Sequence, residues 1–206
     1  MIVECVGVSG AGKTALVKKL SEKYGLNVVP DYPSKLYGYY FITCHPIFIT
    51  HFILKLISES SKTKTWSLFR FKIAVLRNTI ARIEYARFNF SKDEFVFLDE
   101  GTMQRMLSVF ETKQTEDSYA KWFRYFPHTN MVICVNNKSS DIAQRKVGTR
   151  RKKFGEEYVK NWFDTLKNNS DSIQKAITES EINHCQYHWN EEDNNFDEVV
   201  ICLNKK

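Results

Sequence analysis

Residues 7–14 read Gly7-Val8-Ser9-Gly10-Ala11-Gly12-Lys13-Thr14 and fit the pattern G-x-x-x-x-G-K-[ST], which is typical of a phosphate-binding loop. The apolar run over residues 1–6 predicts a buried strand before the loop, and apolar side chains at helical spacing over residues 15–20 predict a helix after it. A strand that leads through a glycine-rich turn into a helix is the arrangement that binds polyphosphate. The stretch therefore predicts a site for a nucleoside triphosphate, with an ordinary glycine-rich turn as the alternative.

The main chain of this loop is expected to hold the phosphates, because successive N–H groups line one concavity and the following helix adds the positive end of its dipole. Gly10 and Gly12 would let the backbone approach the phosphates without a Cβ in the way. The positive charge of Lys13 would bind the oxygens of the β- and γ-phosphates, and the hydroxyl of Thr14 would bind Mg²⁺. The expected cofactors are ATP and Mg²⁺. The expected nucleotide-binding residues are Gly7, Ser9, Gly10, Ala11, Gly12, Lys13 and Thr14.

The composition suits one α/β domain over residues 1–206, because a chain of 206 residues can bury a sizeable core. Its five cysteines are scattered without a C-x-x-C pair, which favours a reducing compartment and disfavours structural zinc. We expect a cytoplasmic protein, since the loop begins almost at the initiator Met and leaves no room for a signal peptide. The net charge of +6 favours anionic ligands in general.

Two further apolar runs end in a carboxylate. Residues 95–98 are apolar and are closed by Asp99, which resembles a Walker B strand whose Asp holds Mg²⁺ directly or through water. Glu100 follows immediately. Residues 26–30 predict a short strand before Asp31, and the carboxyl ends of parallel strands face the ligand crevice. Asp31 is therefore expected to face the substrate or to serve as a turn residue.

The chain between these two runs is rich in apolar and aromatic residues. Residues 39–57 predict a buried helix that helps to form a substrate pocket or a partner surface, because Pro46 and Lys55 interrupt the run and disfavour a membrane span. Residues 58–65 are polar and predict a loop. Residues 66–90 return to helical periodicity. Most arginines of this helix are expected in solvent, with one or two able to reach an anionic substrate.

Strands that alternate with helices predict a three-layer α/β fold with about five parallel strands and helices on both faces, the fold of P-loop NTPases. The chain resembles the P-loop nucleoside and nucleotide kinases, in particular the thymidylate kinase and deoxynucleoside kinase group. The matching pieces are the loop Gly7–Thr14, the strand ends Asp31-Tyr32-Pro33 and Leu98-Asp99-Glu100-Gly101, and a basic run after the strand predicted over residues 131–135.

The resemblance implies roles for residues outside the loop. Asp31 stands where the group has an acidic residue that touches the acceptor hydroxyl or sugar and can act as a base. Residues 34–91 would form a helical insert on the substrate side. These kinases commonly have an Arg directly after the acidic residue of the third strand; this chain has Glu100 there, and Arg105 lies one helical turn on.

A basic segment over residues 144–155 would form the mobile lid of such a kinase. Residues 145–153 contain six basic residues and no acid, and guanidinium groups suit phosphate oxygens better than ammonium groups do. A nucleic-acid contact or a solvated surface are the alternatives. The lid arginines that would close on the transferred phosphoryl group are Arg145, Arg150 and Arg151.

Other classes of nucleotide-binding protein fit the residues less well. A GTPase would need Asp-x-x-Gly after the third strand, whereas Asp99 is one residue too close to Gly101. An ATPase would use a dyad such as Asp99 and Glu100 to polarise water, and that dyad is present. The sequence has no further ATPase signature, so a kinase is favoured.

The sequence thus predicts an ATP- and Mg²⁺-dependent kinase that transfers the γ-phosphoryl group to a small molecule, with a nucleoside or nucleoside monophosphate as the first choice. A sugar or a modified nucleic-acid base as acceptor, and a P-loop ATPase coupled to nucleic acid or a protein partner, are the alternatives. Asp31 or Glu100 would orient or deprotonate the acceptor. Thr14 and Asp99 would hold the metal, and a homodimer stays open. The expected catalytic residues are Lys13, Asp31, Asp99, Glu100, Arg145, Arg150 and Arg151.

Overall fold

Five short parallel strands form one sheet in the order β2-β3-β1-β4-β5. The computed structural model describes residues 1–8, 10–125, 129–136, 154–189 and 196–204. Within them the sheet confirms the predicted number and direction of strands. The strands are β1 (Ile2–Val6), β2 (Asn27–Val28), β3 (Val96–Leu98), β4 (Met131–Asn136) and β5 (His184–His188).

The central strand β1 is apolar along nearly its whole length because both of its faces are covered. It pairs with β3 through Ile2 and Val96 and with β4 through Val3 and Met131. Successive side chains alternate between the faces: Val3 and Cys5 join one apolar cluster, and Val6 joins another. The register brings the carboxyl ends of β1, β2 and β3 to the same edge of the sheet.

Helices pack on both faces and confirm the three-layer architecture. One cluster contains side chains of α1 and α8, and the opposite cluster contains side chains of α2 to α7. A 3₁₀ turn, Trp66–Leu68, leads into α4. The helices of the described ranges are α1 (Lys13–Tyr24), α2 (Lys35–Cys44), α3 (Pro46–Thr63), α4 (Phe69–Asn89), α5 (Thr102–Val109), α6 (Glu116–Phe123), α7 (Glu156–Thr178) and α8 (Asp197–Asn204).

The single helix predicted over residues 39–57 is wrong, since two helices meet there at an angle of 100°. Pro46 has no N–H to continue α2 and instead occupies the first turn of α3, where its fixed φ is tolerated. The loop predicted over residues 58–65 is also wrong, because α3 continues to Thr63. The polar side chains of this stretch are not all exposed to solvent. Glu59 is fully buried and accepts hydrogen bonds from the N–H and hydroxyl of Thr112.

No single helix among the described residues is long and apolar enough to cross a membrane. The bent pair α2 and α3 reaches that length and composition only when the two helices are taken together. The helix α4 runs alongside α2, and Gly38 of α2 packs closely against Arg77 and Ala81 of α4. The helix α4 also contacts β1 and β3, and one of its sides lies next to the strand ends.

Candidate active site

The glycine-rich loop lies between β1 and α1 and carries two residues in left-handed backbone conformations. Gly10 has φ 85° and Gly12 has φ 96°, values that L side chains rarely adopt. A Cβ at Gly12 would also overlap the indole ring of Trp189, which follows β5. The loop can therefore take this path only with glycine at residue 12. Ser9, one of the predicted phosphate-binding residues, lies outside the described residues.

Lys13 is buried at the start of α1 and lies against the loop itself. Its Nζ donates to the carbonyl oxygens of Gly7 at 2.9 Å and Val8 at 3.0 Å. Burial lowers the pKa of Lys13, while the negative charges of Glu100 and Asp99 oppose that effect. The amine is thus held against the loop, in the field of the two carboxylates that follow β3.

The carboxylate of Asp99 joins the loop to the end of β3. Its Oδ2 accepts a hydrogen bond from the hydroxyl of Thr14 at 3.1 Å. The two residues predicted to bind Mg²⁺, 85 positions apart in the chain, therefore lie side by side. One hydroxyl and one carboxylate suit Mg²⁺, which takes one or two protein oxygens and completes its shell with phosphates and water. Among the described residues, no group of three His, Cys, Asp or Glu side chains could hold a metal ion.

Arg82 of α4 is a second buried cation at this site, with 3% of its surface exposed. Its Nη2 donates to Asp99 Oδ1 at 2.9 Å and to the carbonyl oxygen of Val29 at 3.2 Å. The same nitrogen lies 3.7 Å from Oδ1 of Asp31. One guanidinium thus connects the ends of β2 and β3 and both of their carboxylates. A planar guanidinium with several donors is suited to such a contact.

Glu100 forms an ion pair with α5. Its Oε2 lies 2.5 Å from Nη2 of Arg105, whose Nε donates to the hydroxyl of Thr79 at 2.9 Å. Arg105, one helical turn beyond the strand, therefore stands beside the acidic turn. The ion pair occupies Glu100, whereas the side chain of Asp31 remains 75% exposed.

Two neighbouring cavities, each of about 430 Å³, open at this edge of the sheet. Their walls are joined by a hydrogen bond of 2.9 Å from the side-chain amide of Asn78, which lines one cavity, to the backbone oxygen of Asp31, which lines the other. The first, which we call the carboxylate cavity, is lined by residues that include Thr14, Lys18, Asp31, Arg82 and Asp99. The second, which we call the cationic cavity, is lined by residues that include Tyr32, Lys35, Phe71, Arg77, Asn78 and Arg105.

The structure thus brings Lys13, Thr14, Asp31, Asp99 and Glu100 to one edge of the sheet. The predicted lid arginines Arg145, Arg150 and Arg151 lie outside the described residues. Sequence reasoning did not single out Arg82, because it placed most arginines of this helix in solvent. The available signal was its position between Ile80 and Ile83, on a stretch of α4 that is buried on all sides.

No protein-family model matches the chain, and no curated protein is significantly similar to it in sequence. Solved structures of deoxyadenosine kinase from M. mycoides are similar in fold. The structure with bound dATP is 16% identical with a TM-score of 0.51. The structure with the products dCMP and dCDP is 17% identical with a TM-score of 0.53. Both alignments cover 100% of this chain and 98% of the kinase. The chain therefore has the P-loop deoxynucleoside kinase fold, which confirms the predicted resemblance at the level of the fold.

Proposed function

We propose that the protein is an ATP- and Mg²⁺-dependent kinase that transfers the γ-phosphoryl group to a nucleoside or a nucleoside monophosphate. The hydrogen bond between Thr14 and Asp99 carries the proposal, because a loop hydroxyl and the carboxylate after a neighbouring strand are the two groups with which P-loop enzymes hold their metal. The solved kinases of the same fold contain dATP, dCMP or dCDP, which supports nucleotide chemistry.

The donor nucleotide would bind to the amides of residues 7–14. Lys13 would exchange the carbonyl oxygens of Gly7 and Val8 for the β- and γ-phosphates, since its amine already lies at the loop. Thr14 and Asp99 would hold Mg²⁺, which supplies charge neutralisation to the phosphates when bound. Arg82 would keep Asp99 in place through the bond to Oδ1 and leave Oδ2 facing Thr14.

In the reaction, an oxygen of the acceptor forms a bond to the γ-phosphorus, the bond to the β,γ-bridging oxygen breaks, and ADP leaves. Asp31 is better placed than Glu100 to orient or deprotonate that oxygen, because Glu100 is occupied by Arg105 whereas Asp31 faces the cavity. The arginines of the predicted lid, residues 144–155, would stabilise the charge that develops on the transferred group. Glu100 is for the same reason a poor candidate to polarise water in an ATPase.

The acceptor would occupy the cationic cavity, on the helical insert proposed for residues 34–91. Lys35, Arg77 and Arg105 supply positive charge there, while Tyr32 and Phe71 supply aromatic surface. None of its described lining residues is acidic. A ring with an attached phosphate matches this combination better than a neutral molecule, so within the proposal a nucleoside monophosphate is favoured over a nucleoside.

The test is ATP turnover by the purified protein with Mg²⁺ and a panel of nucleosides, nucleoside monophosphates and sugars. We expect ADP formation to accelerate with one class of acceptor, with the phosphorylated product identified by mass spectrometry. Lys13→Ala should fold but lose turnover about a hundredfold or more, as when a transition-state donor is removed. Lys62→Ala, an exposed lysine on α3, is the matched control.

Near-normal turnover by Lys13→Ala would contradict the assignment of the loop. Acceleration by DNA or RNA, with free phosphate as the product, would favour the ATPase instead. Acceleration by no member of the panel would contradict the proposed acceptor class.

A further inference from the structure

A buried carboxylate that the proposed reaction does not use lies beneath the site. Glu4 is fully buried in the middle of β1, on the face that meets α5. Its Oε1 accepts hydrogen bonds from the N–H groups of Met103 at 2.7 Å and Gln104 at 3.2 Å. Its Oε2 accepts from the hydroxyl of Thr102 at 3.4 Å. Glu4, a residue of β1, therefore provides the hydrogen-bond acceptor for free N–H groups in the first turn of α5.

The start of α5 is built to admit this carboxylate. Helices usually begin with a residue whose own side chain accepts an amide of the first turn, but α5 is preceded by Gly101, which has no side chain. A Cβ at Gly101 would overlap the carboxylate of Glu4. A carboxylate at a helix N-terminus also interacts favourably with the helix dipole. The position of α5 is thus fixed by β1, close to the turn that carries Asp99.

The helix α5 in turn reaches the phosphate loop. Oε1 of Gln104, which is buried, accepts a hydrogen bond from the N–H of Gly7 at 2.9 Å. Gly7 is the first residue of the loop, and a Cβ there would overlap the carbonyl oxygen of Val135. The backbone at this point is therefore held on two sides. A continuous set of contacts runs from Glu4 through the first turn of α5 and Gln104 to the loop.

We propose that Glu4 and Gln104 are positioning residues that fix the first amide of the phosphate loop before nucleotide binds. This inference rests on the proposed function only in taking a nucleotide as the ligand of the loop. Without the bond to Gln104, the start of the loop has to be ordered when nucleotide binds, and that ordering weakens affinity. The pair acts on nucleotide binding through the main chain and touches no reacting atom.

The ionisation of Glu4 should make the nucleotide affinity depend on pH. A purely structural role of Glu4 would not have this effect. Burial raises the pKa of Glu4 to about 7, with the α5 amides opposing the rise. Its titratable neighbours are the thiols of Cys5 and Cys134, whose pKa values burial raises, so they stay neutral. Arg105, the charged residue of α5, is held by Glu100 and Thr79. A charged carboxylate accepts amide hydrogen bonds more strongly than a neutral one, so the contacts tighten as pH rises.

The first experiment measures the affinity for a non-hydrolysable ATP analogue with Mg²⁺ by calorimetry. Gln104→Met removes the acceptor at similar volume, and we expect binding to weaken about tenfold. Gln114→Met is the matched control, since Gln114 is similarly buried but bonds to the α3 and α7 side of the fold. Equal affinity of wild type and Gln104→Met, or equal losses in the two variants, would overturn the proposal.

The second experiment compares wild type with Glu4→Gln, which keeps an acceptor oxygen but does not titrate. We expect the ratio of their dissociation constants to change about threefold or more between about pH 6 and about pH 8, with wild type gaining affinity at the higher pH. The titration of the nucleotide itself cancels in this ratio. A ratio that does not change with pH would contradict the role of Glu4.

Hydrogen exchange at the N–H of Gly7 decides the matter without any ligand. The amide should be protected in wild type and should exchange about tenfold faster in Gln104→Met, because one hydrogen bond is lost. Absence of protection in wild type would overturn the inference. If wild type bound no nucleotide, the proposed function would fail, while this exchange measurement would still decide whether Gln104 fixes the loop.

Discussion

Replacing Glu4 by Gln should change how the stability of the protein depends on pH. The pKa of Glu4 rises from 4.5 to about 7 on folding, mainly because burial disfavours its charged form. Between these two values the folded protein holds a proton that the unfolded chain has released. The free energy of unfolding therefore falls as pH rises from the lower value to the higher one, and this contribution is constant outside that window. The contribution of the raised pKa to the free energy of unfolding is thus fully present below pH 4.5 and is lost as the pH rises to about 7.

The magnitude follows from the width of the window. About 2.5 pH units at about 1.4 kcal/mol per unit give about 3 kcal/mol. Because the free energy of unfolding of a domain is typically about 5–15 kcal/mol, this is a large fraction of it. Because Gln does not titrate, Glu4→Gln should lack this slope. Relative to wild type, the variant should become more stable by about 3 kcal/mol between about pH 4.5 and about pH 7.

The assay is urea unfolding, followed by far-ultraviolet circular dichroism, at a series of pH values for both proteins. The quantity of interest is the difference between their free energies of unfolding, since the titration of all other groups then cancels. Thr102→Val is a control that removes one of the contacts to Glu4 without removing its charge. A difference that stays constant across the window would refute the reasoning, because it would mean that Glu4 titrates alike in the folded and unfolded chain.

Two other buried charges allow direct tests. Arg82→Lys should lower the free energy of unfolding by about 1–2 kcal/mol and reduce ATP turnover. The two bonds come from one nitrogen at the far end of the arginine, and the shorter lysine side chain does not bring its nitrogen to that position. Unchanged stability and turnover would contradict this. Lys72→Met should cost about 3 kcal/mol, measured by urea unfolding, because it removes the ammonium 2.7 Å from the buried carboxylate of Glu111, whose bond from the Tyr158 hydroxyl does not neutralise the charge. The double variant with Glu111→Gln should recover part of that loss, and a loss from Lys72→Met of under about 0.5 kcal/mol would argue against a buried pair.

The sequence predicted those parts of the fold that depend on local patterns. The strands β1 and β4 are buried runs between helical segments, and parallel strands covered on both faces carry this pattern. The phosphate loop was recognisable because its conformation requires glycine at residues 10 and 12. Asp99 could be placed beside the loop because β3 and β1 are neighbours in sheets of this kind. Each of these inferences uses a short segment and one general rule of sheet geometry.

The predictions failed where burial depended on a distant segment. Residues 58–65 are polar, and a local pattern assigns them to solvent; yet most of them continue α3, because Glu59 finds its partners in the segment after α5. The corner at Pro46 was read as an interruption within one helix, whereas the proline separates two helices. For Glu59 the deciding contacts come from residues some fifty positions away in the chain. At Pro46 the deciding feature is the angle between two helices. A local sequence pattern contains neither piece of information.

Charged residues inside apolar patterns mark the contacts that local patterns miss. Glu4 interrupts a buried strand and Arg82 interrupts a buried turn of a helix, and each would be costly without a partner. The partners come from distant segments: α5 for Glu4, and the ends of β2 and β3 for Arg82. Both sets of contacts meet at the edge of the sheet that carries the phosphate loop. In a sequence, a charged residue at an otherwise apolar position therefore indicates a buried polar contact near the functional site. It does so even before the residue's partner can be identified.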